Sequence, residues 1–180
     1  MDVFEAMRER RSVRRYADRP VEDTTLERVL EAARQAPSWA NTQCWRFVVV
    51  RDPQTKQRIA EATPEGNPGR KALAQAPVVI CACAQTGVSG FFNGKASTAL
   101  GDWFLFDLGL AMSQLTLAAH ALGLGTVHVG LIDTVKVGEL LGLPADVKFV
   151  EAVPLGYPEK PSKPTPRKSP AELVKQERWS

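Results

Sequence analysis

The feature that most constrains the fold is a long apolar segment between about residues 98 and 122. The segment permits a helix and carries large apolar side chains on nearly every side, so that the helix has to be buried all round. In a chain of 180 residues, such burial is easiest if one face packs on the chain's own sheet and another on a second subunit. The segment therefore predicts an obligate homodimer, with a central helix in a monomer as the alternative.

Apolar periodicity and helix-capping residues predict the other elements around this helix. Asp23 or Thr24 can cap a second helix that ends before Pro37, and Asp133 can cap a short one. Further segments are predicted as helices at residues 2–10, 54–62 and 133–141, and as strands at 45–50, 78–84, 126–131 and 147–157. Because the strands are unequally spaced, the whole chain is predicted to form one α+β domain with a mixed sheet.

Five prolines mark the segment from residue 158 to residue 170. They exclude regular helix and favour an extended path over a surface, so that residues 158–180 are predicted to form an arm. Pro170 suits the first turn of a short terminal helix that would dock the end of this arm.

Positive charge is concentrated in two clusters, although the net charge of the chain is only +3. This surplus is too small to indicate nucleic-acid binding. Either the two clusters bind a common anion, or each is simply solvated. The N-terminal cluster consists of Arg8, Arg10, Arg11, Arg14 and Arg15. The C-terminal cluster consists of Lys160, Lys163, Arg167 and Lys168.

Several classes of site lack their sequence signals. The chain has no glycine-rich dinucleotide motif, no Walker lysine loop, and no zinc-protease or serine-hydrolase motif. Its three cysteines lack metal-ligand spacing, and His120 and His128 lack a nearby acidic or thiol partner, so that all five are predicted to be structural and no metal site is expected. Without a signal peptide or ~18 uninterrupted apolar residues, a cytoplasmic protein without membrane contacts is expected.

Polar groups suited to a phosphate and to a flat heterocycle occur in two N-terminal segments. In residues 10–14 (RRSVR), guanidinium groups and a hydroxyl converge where a helix meets a turn, which suits a phosphate or a polyol. In residues 36–45 (APSWANTQCW), hydroxyl and amide groups surround a tryptophan that can cover the face of a ring.

These two segments, at this separation, closely resemble the nitroreductase family. The resemblance continues through residues 46–50 (RFVVV), 75–80 (QAPVVI), 121–126 (ALGLGT), 153–158 (VPLGYP) and the basic arm, and so covers nearly the whole chain. It implies an α+β three-layer sandwich with a mixed, mainly antiparallel sheet flanked by helices. It also implies a homodimer with FMN at the interface, built from both subunits, and an arm that reaches the partner.

By position, the resemblance assigns flavin contacts to three groups of residues. The phosphate and ribityl chain would contact Arg10, Arg11, Ser12, Arg14, Arg167 and Lys168. The loop that reaches the partner's flavin would contain Pro37, Ser38, Trp39 and Asn41, with Gln43 as a further candidate. The ring would meet Lys71, Val129 and Gly130, with Asn67 as a further candidate. The alternative for Lys71 and Asn67 is that both are solvated loop residues.

Lys71 and the turn at Val129 and Gly130 have specific chemical roles in this scheme. A cation at Lys71 would stabilise the negative charge over N1 and the C2 carbonyl of the reduced ring. A backbone amide at Val129 and Gly130 would donate toward N5, and glycine permits close approach. Two residues depart from the family pattern: Trp39 replaces the small residue often found there, so that a narrower acceptor cavity is expected, and Val129 replaces the acidic residue of several members.

The function implied by the resemblance is ping-pong hydride transfer from NAD(P)H through FMN to a nitroaromatic, quinone or similar acceptor. Since the flavin carries the chemistry, no catalytic side chain is named. The alternatives are a specialised relative, such as a reductive dehalogenase or a flavin-fragmenting enzyme, and a non-catalytic flavin-binding module.

Overall fold

An antiparallel sheet of four strands forms the middle layer of the protein, seen in a computed structural model that describes residues 1–179. The strands lie in the order β1 (Trp45–Val50), β2 (Val78–Gln85), β6 (Val147–Gly156) and β5 (Gly125–Thr126). A separate hairpin consists of β3 (Phe91–Phe92) and β4 (Lys95–Ala96). One isolated parallel bridge joins Ser12 to Thr126, and this bridge supplies the mixed character of the predicted sheet.

Strand β2 is the most deeply buried element because helices cover both of its faces. Residues 78–84 are each at most 1% exposed. Strand alternation places Ile80 and Ala82 in one hydrophobic core and Cys81 and Cys83 in the other. The buried strand that was predicted from its unbroken apolar sequence is therefore confirmed.

Helices pack on both faces of the sheet, which gives the predicted three-layer sandwich. The first face is covered by α2 (Asp23–Arg34) and α5 (Phe104–Ala121), and α1 (Val3–Glu9) packs against α5. The second face is covered by α3 (Pro53–Glu61), α4 (Gly69–Gln75) and α6 (Thr134–Leu140). The arm ends in the one-turn helix α7 (Pro170–Leu173), preceded by a stretch with no helix from residue 159.

Helix α5 is the predicted long helix, but it begins at Phe104 instead of residue 98. Gly101 has a positive φ of 72°, and the Asp102 carboxylate accepts the Phe104 amide at 3.1 Å, so that the preceding residues form a turn. By length and composition α5 is apolar enough to cross a membrane, yet its inner face is packed on the chain's own sheet. Leu105 and Phe106 are 58% and 59% exposed, so that one chain does not bury the helix all round.

Three further predictions need correction. Helix α2 is not capped by Asp23 or Thr24, because Glu22 occupies the N-cap position and the Asp23 carboxylate accepts a hydrogen bond from Arg51 at 2.6 Å. The predicted strand at 126–131 is cut short, because after Thr126 the chain makes only one bridge to β6, at Val129. Helix α4 and the β3–β4 hairpin were not predicted.

Candidate functional site

The two basic clusters, far apart in the sequence, line one cleft of about 470 Å³. The N-terminal cluster contributes Arg10 and Arg14, together with Ser12, and the arm contributes Lys163 and Arg167. Two backbone hydrogen bonds hold the start of the arm beside the N-terminal segment, from Glu159 to Arg15 at 3.1 Å and from Ala17 to Tyr157 at 2.8 Å.

The arginines of this cleft are close enough together to lower the pKa of one of them, Arg10. Burial lowers the pKa of Arg10 below its ordinary value, and repulsion from Arg167 and Arg11 lowers it further. A cluster of guanidinium groups in such a position is stabilised by a bound anion, and guanidinium geometry matches phosphate oxygens. The cleft therefore has the charge and the hydrogen-bond donors that suit a bound anion.

The position of the N-terminal segment depends on its contact with β5. The Val13 amide donates to the Thr126 carbonyl at 2.8 Å, and the Val13 side chain is buried. A Cβ atom on Gly125 would lie 2.6 Å from the Val13 side chain, so that only glycine permits this approach. Because side chains alternate along an extended segment, Ser12 and Arg14 point away from the core on either side of Val13.

Arg11 and Lys168 differ from the other predicted phosphate residues. Arg11 lines the cleft, but its Nη1 donates to the carbonyls of Arg8 and Arg10 at 2.6 and 2.7 Å, so that its guanidinium closes the end of α1. Lys168 is not among the residues that line the cleft, whereas the neighbouring Arg167 is.

A second cavity, of about 1,020 Å³, adjoins the cleft, and Arg14 and Arg15 line both. Lys71 and Asn67 lie together in this second cavity, on α4 and just before it. The side-chain oxygen of Asn67 accepts the Gly69 amide at 2.8 Å, and so it also shapes the start of α4. Both candidate ring contacts are therefore within the same concave region as Arg14.

The turn at Val129 and Gly130 is fixed relative to α4. The Val129 side chain is buried, and a Cβ atom on Gly69 would lie 2.7 Å from its Cγ2 atom. A Cβ atom on Gly130, in contrast, would meet no atom within 4 Å, so that this turn is open on the side of Gly130. Lys71 is thus on a helix whose first residue packs directly on the turn.

The loop of residues 37–43 does not line either cavity in its own chain. It contains a short 3-10 turn at Trp39–Asn41, and positive φ angles occur at Ala40, Asn41 and Gln43. The Ser38 hydroxyl accepts the Gln43 amide at 2.9 Å across the turn. The four predicted flavin contacts of this loop therefore lie outside the two cavities that Arg14 and Lys71 line, as do Val129 and Gly130.

Two polar features of the structure were missed by reasoning from sequence. Asp107 is a fully buried carboxylate in the apolar helix α5, and it accepts the Trp39 amide at 3.1 Å. His128 Nδ1 lies 2.8 Å from a carboxylate oxygen of Glu151, and both line a third cavity of about 430 Å³ beside Arg10. The His128 side chain is 43% exposed, so that it is not a residue of the core, and Glu151 is the acidic partner that its sequence neighbours do not provide.

All three cysteines are buried, as predicted. Burial raises the pKa of Cys44 to about 11, that of Cys81 to about 12 and that of Cys83 to about 11. Within residues 1–179, no group of three or more histidine, cysteine or acidic residues is arranged to hold a metal ion.

Comparison with known proteins gives a consistent result. A family model described as the nitroreductase family matches residues 7–157. An NADH dehydrogenase of Thermus thermophilus is 33% identical over 192 residues, covering 93% of this chain and 92% of the relative. An FMN reductase [NAD(P)H] of Bacillus subtilis is 32% identical over 191 residues, covering 96% and 72%.

Solved structures and more specialised relatives match as well. A nitroreductase family protein from Clostridium difficile superposes with a TM-score of 0.83 at 27% identity, covering 99% of this chain and all of that one. Iodotyrosine deiodinase 1 of Rattus norvegicus is 30% identical, covering 88% of this chain and 63% of the relative. A 5,6-dimethylbenzimidazole synthase of Rhodospirillum rubrum is 29% identical, covering 84% and 79%.

Proposed function

Because the chain belongs to the nitroreductase family, we propose that it is an oxidoreductase that binds FMN and accepts hydride from NAD(P)H. The printed names of its relatives, an NADH dehydrogenase and an FMN reductase [NAD(P)H], support this reaction class. The single observation that carries the proposal is the convergence of Arg10, Arg14 and Arg167 on one cleft that adjoins a larger cavity.

The residues present fit FMN at both ends of the molecule. The phosphate fits the cleft, where guanidinium groups and the Ser12 hydroxyl provide charge-assisted and neutral hydrogen bonds. The ring fits the adjoining cavity beside Lys71 and Asn67, and Arg14, which lines both spaces, would lie between ring and phosphate. The bound flavin would supply hydride-transfer chemistry, while the protein binds it, orients it and excludes water.

The ring contacts act together because the fold fixes their spacing. Lys71 would place a positive charge near the pyrimidine edge, where reduction leaves negative charge. Val129 packs on the first turn of α4, and this contact sets the distance between Lys71 and the open turn at Gly130. Arg11 would support the phosphate site indirectly, by donating hydrogen bonds to the carbonyls at the end of α1. A direct contact between Lys168 and the phosphate stays a prediction.

We further propose that the site is completed by a second copy of the chain. The loop with Pro37, Ser38, Trp39 and Asn41 would then face the partner's flavin, which agrees with its absence from the lining of both cavities in its own chain. Leu105 on α5 leaves apolar surface for such a partner, and large exposed apolar surfaces commonly mark interfaces.

The acceptor that we propose is a nitroaromatic, a quinone or a similar small oxidant, reduced in a ping-pong cycle in the cytoplasm. Trp39 would narrow the acceptor space and so favour flat acceptors over bulky ones. The matches to a deiodinase and a synthase keep reductive dehalogenation and flavin fragmentation as the second candidate. Turnover with quinones or nitroaromatics, and none with halogenated phenols, would favour reduction of a small oxidant over reductive dehalogenation.

FMN titration of the purified protein tests the proposal. Arg14→Ala and Arg167→Ala should each weaken FMN binding by about 1.5–3 kcal/mol, or roughly 10- to 150-fold, because each removes a charged contact. Arg28→Ala, an exposed substitution on α2, is the matched control and should leave the affinity unchanged. Wild-type protein that neither binds FMN nor oxidises NAD(P)H would contradict the function, and unchanged affinity in both variants would contradict the phosphate site.

A further inference from the structure

Asp107 is the only fully buried acidic residue within residues 1–179, and it lies where α5 meets the loop of residues 37–43. Its carboxylate accepts the Ser89 hydroxyl at 2.6 Å and the Trp39 amide at 3.1 and 3.2 Å. The Thr42 hydroxyl at 3.4 Å and the Cys44 thiol at 3.8 Å complete the set of donors. The carboxylate is therefore surrounded by donors from two separate segments of the chain, residues 39–44 and Ser89.

This charge is balanced by hydrogen bonds and not by a cation. Within residues 1–179, no lysine, arginine or histidine forms an ion pair with Asp107. An ionised carboxylate in an apolar core is costly unless its oxygens are well satisfied, so that all of its donors are held tightly in place. The Asp107 carboxylate thus holds Trp39 and Thr42 in place through hydrogen bonds, although an apolar residue would fill this position in the core as well.

The loop needs such an anchor because its backbone is strained. Ala40, Asn41 and Gln43 have φ angles of 45°, 57° and 48°, and none of them is a glycine. Residues in this region of the Ramachandran map persist only where the surroundings hold them. Asp107 contacts the loop on both sides of Ala40 and Asn41, at Trp39 before them and at Thr42 after them.

The same turn of α5 also carries the exposed apolar residues. Leu105 and Phe106 point outward while Asp107 points inward to the loop. Helix α5 therefore links the surface available to a second subunit with the loop that would reach the partner's flavin.

We propose that Asp107 is a positioning residue for the flavin site: by anchoring residues 37–43, it holds Trp39 and Asn41 where they contact the flavin of the partner subunit. This inference rests on the proposed function, since it is FMN that the loop would contact. The anchor itself consists only of contacts within one chain. Asp107 touches no flavin in this arrangement and acts through the loop.

Asp107→Asn tests the anchor with almost no change in shape. Asparagine keeps one acceptor oxygen and replaces the other with an N–H donor, so that the Trp39 amide loses one of its two acceptors, whereas the Ser89 hydroxyl can turn to accept. We expect FMN to dissociate with a Kd at least about tenfold higher, and amide hydrogen exchange at residues 39–43 to become faster. Ser89→Ala removes the shortest hydrogen bond to Asp107 without replacing any residue of the loop. It should also raise the FMN Kd and speed exchange at residues 39–43, each by a smaller factor.

Leu115→Ala is the matched control for a general loss of stability. Leu115 is fully buried on the same helix and belongs to the core beneath it, so that its truncation lowers the melting temperature without removing a contact of Asp107. Its FMN Kd should stay within about twofold of wild type, and exchange at residues 39–43 should be unchanged relative to the rest of the chain.

The outcomes separate this inference from the proposed function. Wild-type protein that fails to bind FMN refutes the function, whatever the variants do. If wild type binds FMN, then an unchanged Kd in both Asp107→Asn and Ser89→Ala overturns the positioning role, even where exchange of the loop is faster. An equal loss of FMN affinity in Leu115→Ala overturns it too, because the effect would then follow global stability.

Discussion

Gly125→Ala tests whether the fold of the phosphate cleft depends on one missing side chain. The new Cβ atom would lie 2.6 Å from both Cβ and Cγ2 of Val13, and 2.8 Å from its Cγ1 atom. These atoms belong to a β-branched, buried side chain that cannot swing away, so that the N-terminal segment has to move off β5. Forcing extra atoms into a packed site costs ~1–3 kcal/mol, which lowers the melting temperature of a chain this size by roughly 2–12 °C.

The same displacement should reach the ligand site, because Ser12 and Arg14 flank Val13 in the segment that moves. Loss of one charged contact corresponds to a roughly 10- to 150-fold weaker FMN affinity. Thermal melting with and without FMN, together with FMN titration, measures both effects. Val13→Ala removes two of the three close atoms, and in the Gly125→Ala background it should recover part of the loss although it destabilises the wild type.

Gly138→Ala provides a comparison of opposite sign. Gly138 lies within α6, and a Cβ atom there would meet only Leu143 Cδ1 at 3.8 Å, which is an ordinary contact. Replacing glycine by alanine in a helix interior stabilises it by up to ~1 kcal/mol. The reasoning would be refuted if Gly125→Ala were as stable as wild type, or if both glycine substitutions had effects of the same sign.

Three further measurements follow from the structure. A thiol reagent at neutral pH should modify none of the three cysteines in the native protein and all three after unfolding, since burial raises the pKa of Cys81 to about 12 and keeps the others near 11. Hydrogen bonds from Arg34 and Gln35 lower the pKa of Glu31 to about 2. The ionised Glu31 carboxylate therefore stabilises the fold above pH 4.5, and this contribution is lost as the pH falls toward 2. In Arg34→Ala, the NMR titration midpoint of Glu31 should return toward its ordinary value. Leu105→Asp should shift the sedimentation of the protein toward that of a monomer, and unchanged sedimentation of a dimeric wild type would place the interface elsewhere.

Elements with a clear burial period could be predicted from the sequence, and elements set by tertiary contact could not. Helix α2 and strands β2 and β6 carry apolar patterns that continue to their ends. Helix α4 follows a segment rich in proline and glycine, and it forms because Gly69 fits against Val129, a contact that no local pattern contains. The β3–β4 hairpin does have a local signal, since Asn93 and Gly94 both adopt positive φ angles, as two-residue hairpin turns require.

The candidate site divides in the same way. Resemblance to a family identified the arginines, and the structure brings Arg10 and Arg167 together across most of the sequence. The hydrogen bonds from Arg11 to the carbonyls at the end of α1 depend on the rotamer of its side chain, which residues 10–14 (RRSVR) do not specify as a sequence. Asp107 was missed because its only sequence signal is a charge within an apolar helix, and the pairing of His128 with Glu151 needed the sheet to align two segments.

If the cleft binds an anion, as we propose, the extended arm around Arg167 should respond to it. Arg10 and Arg167 carry like charges in one cleft, and burial together with this repulsion lowers the pKa of Arg10. An anion bound between them would offset that repulsion through a shared counter-charge, so that the bound molecule would attach the arm around Arg167 to the rest of the chain. Protease sensitivity near residue 165, or the mobility of a label placed beyond it, would then measure how much of the protein is loaded.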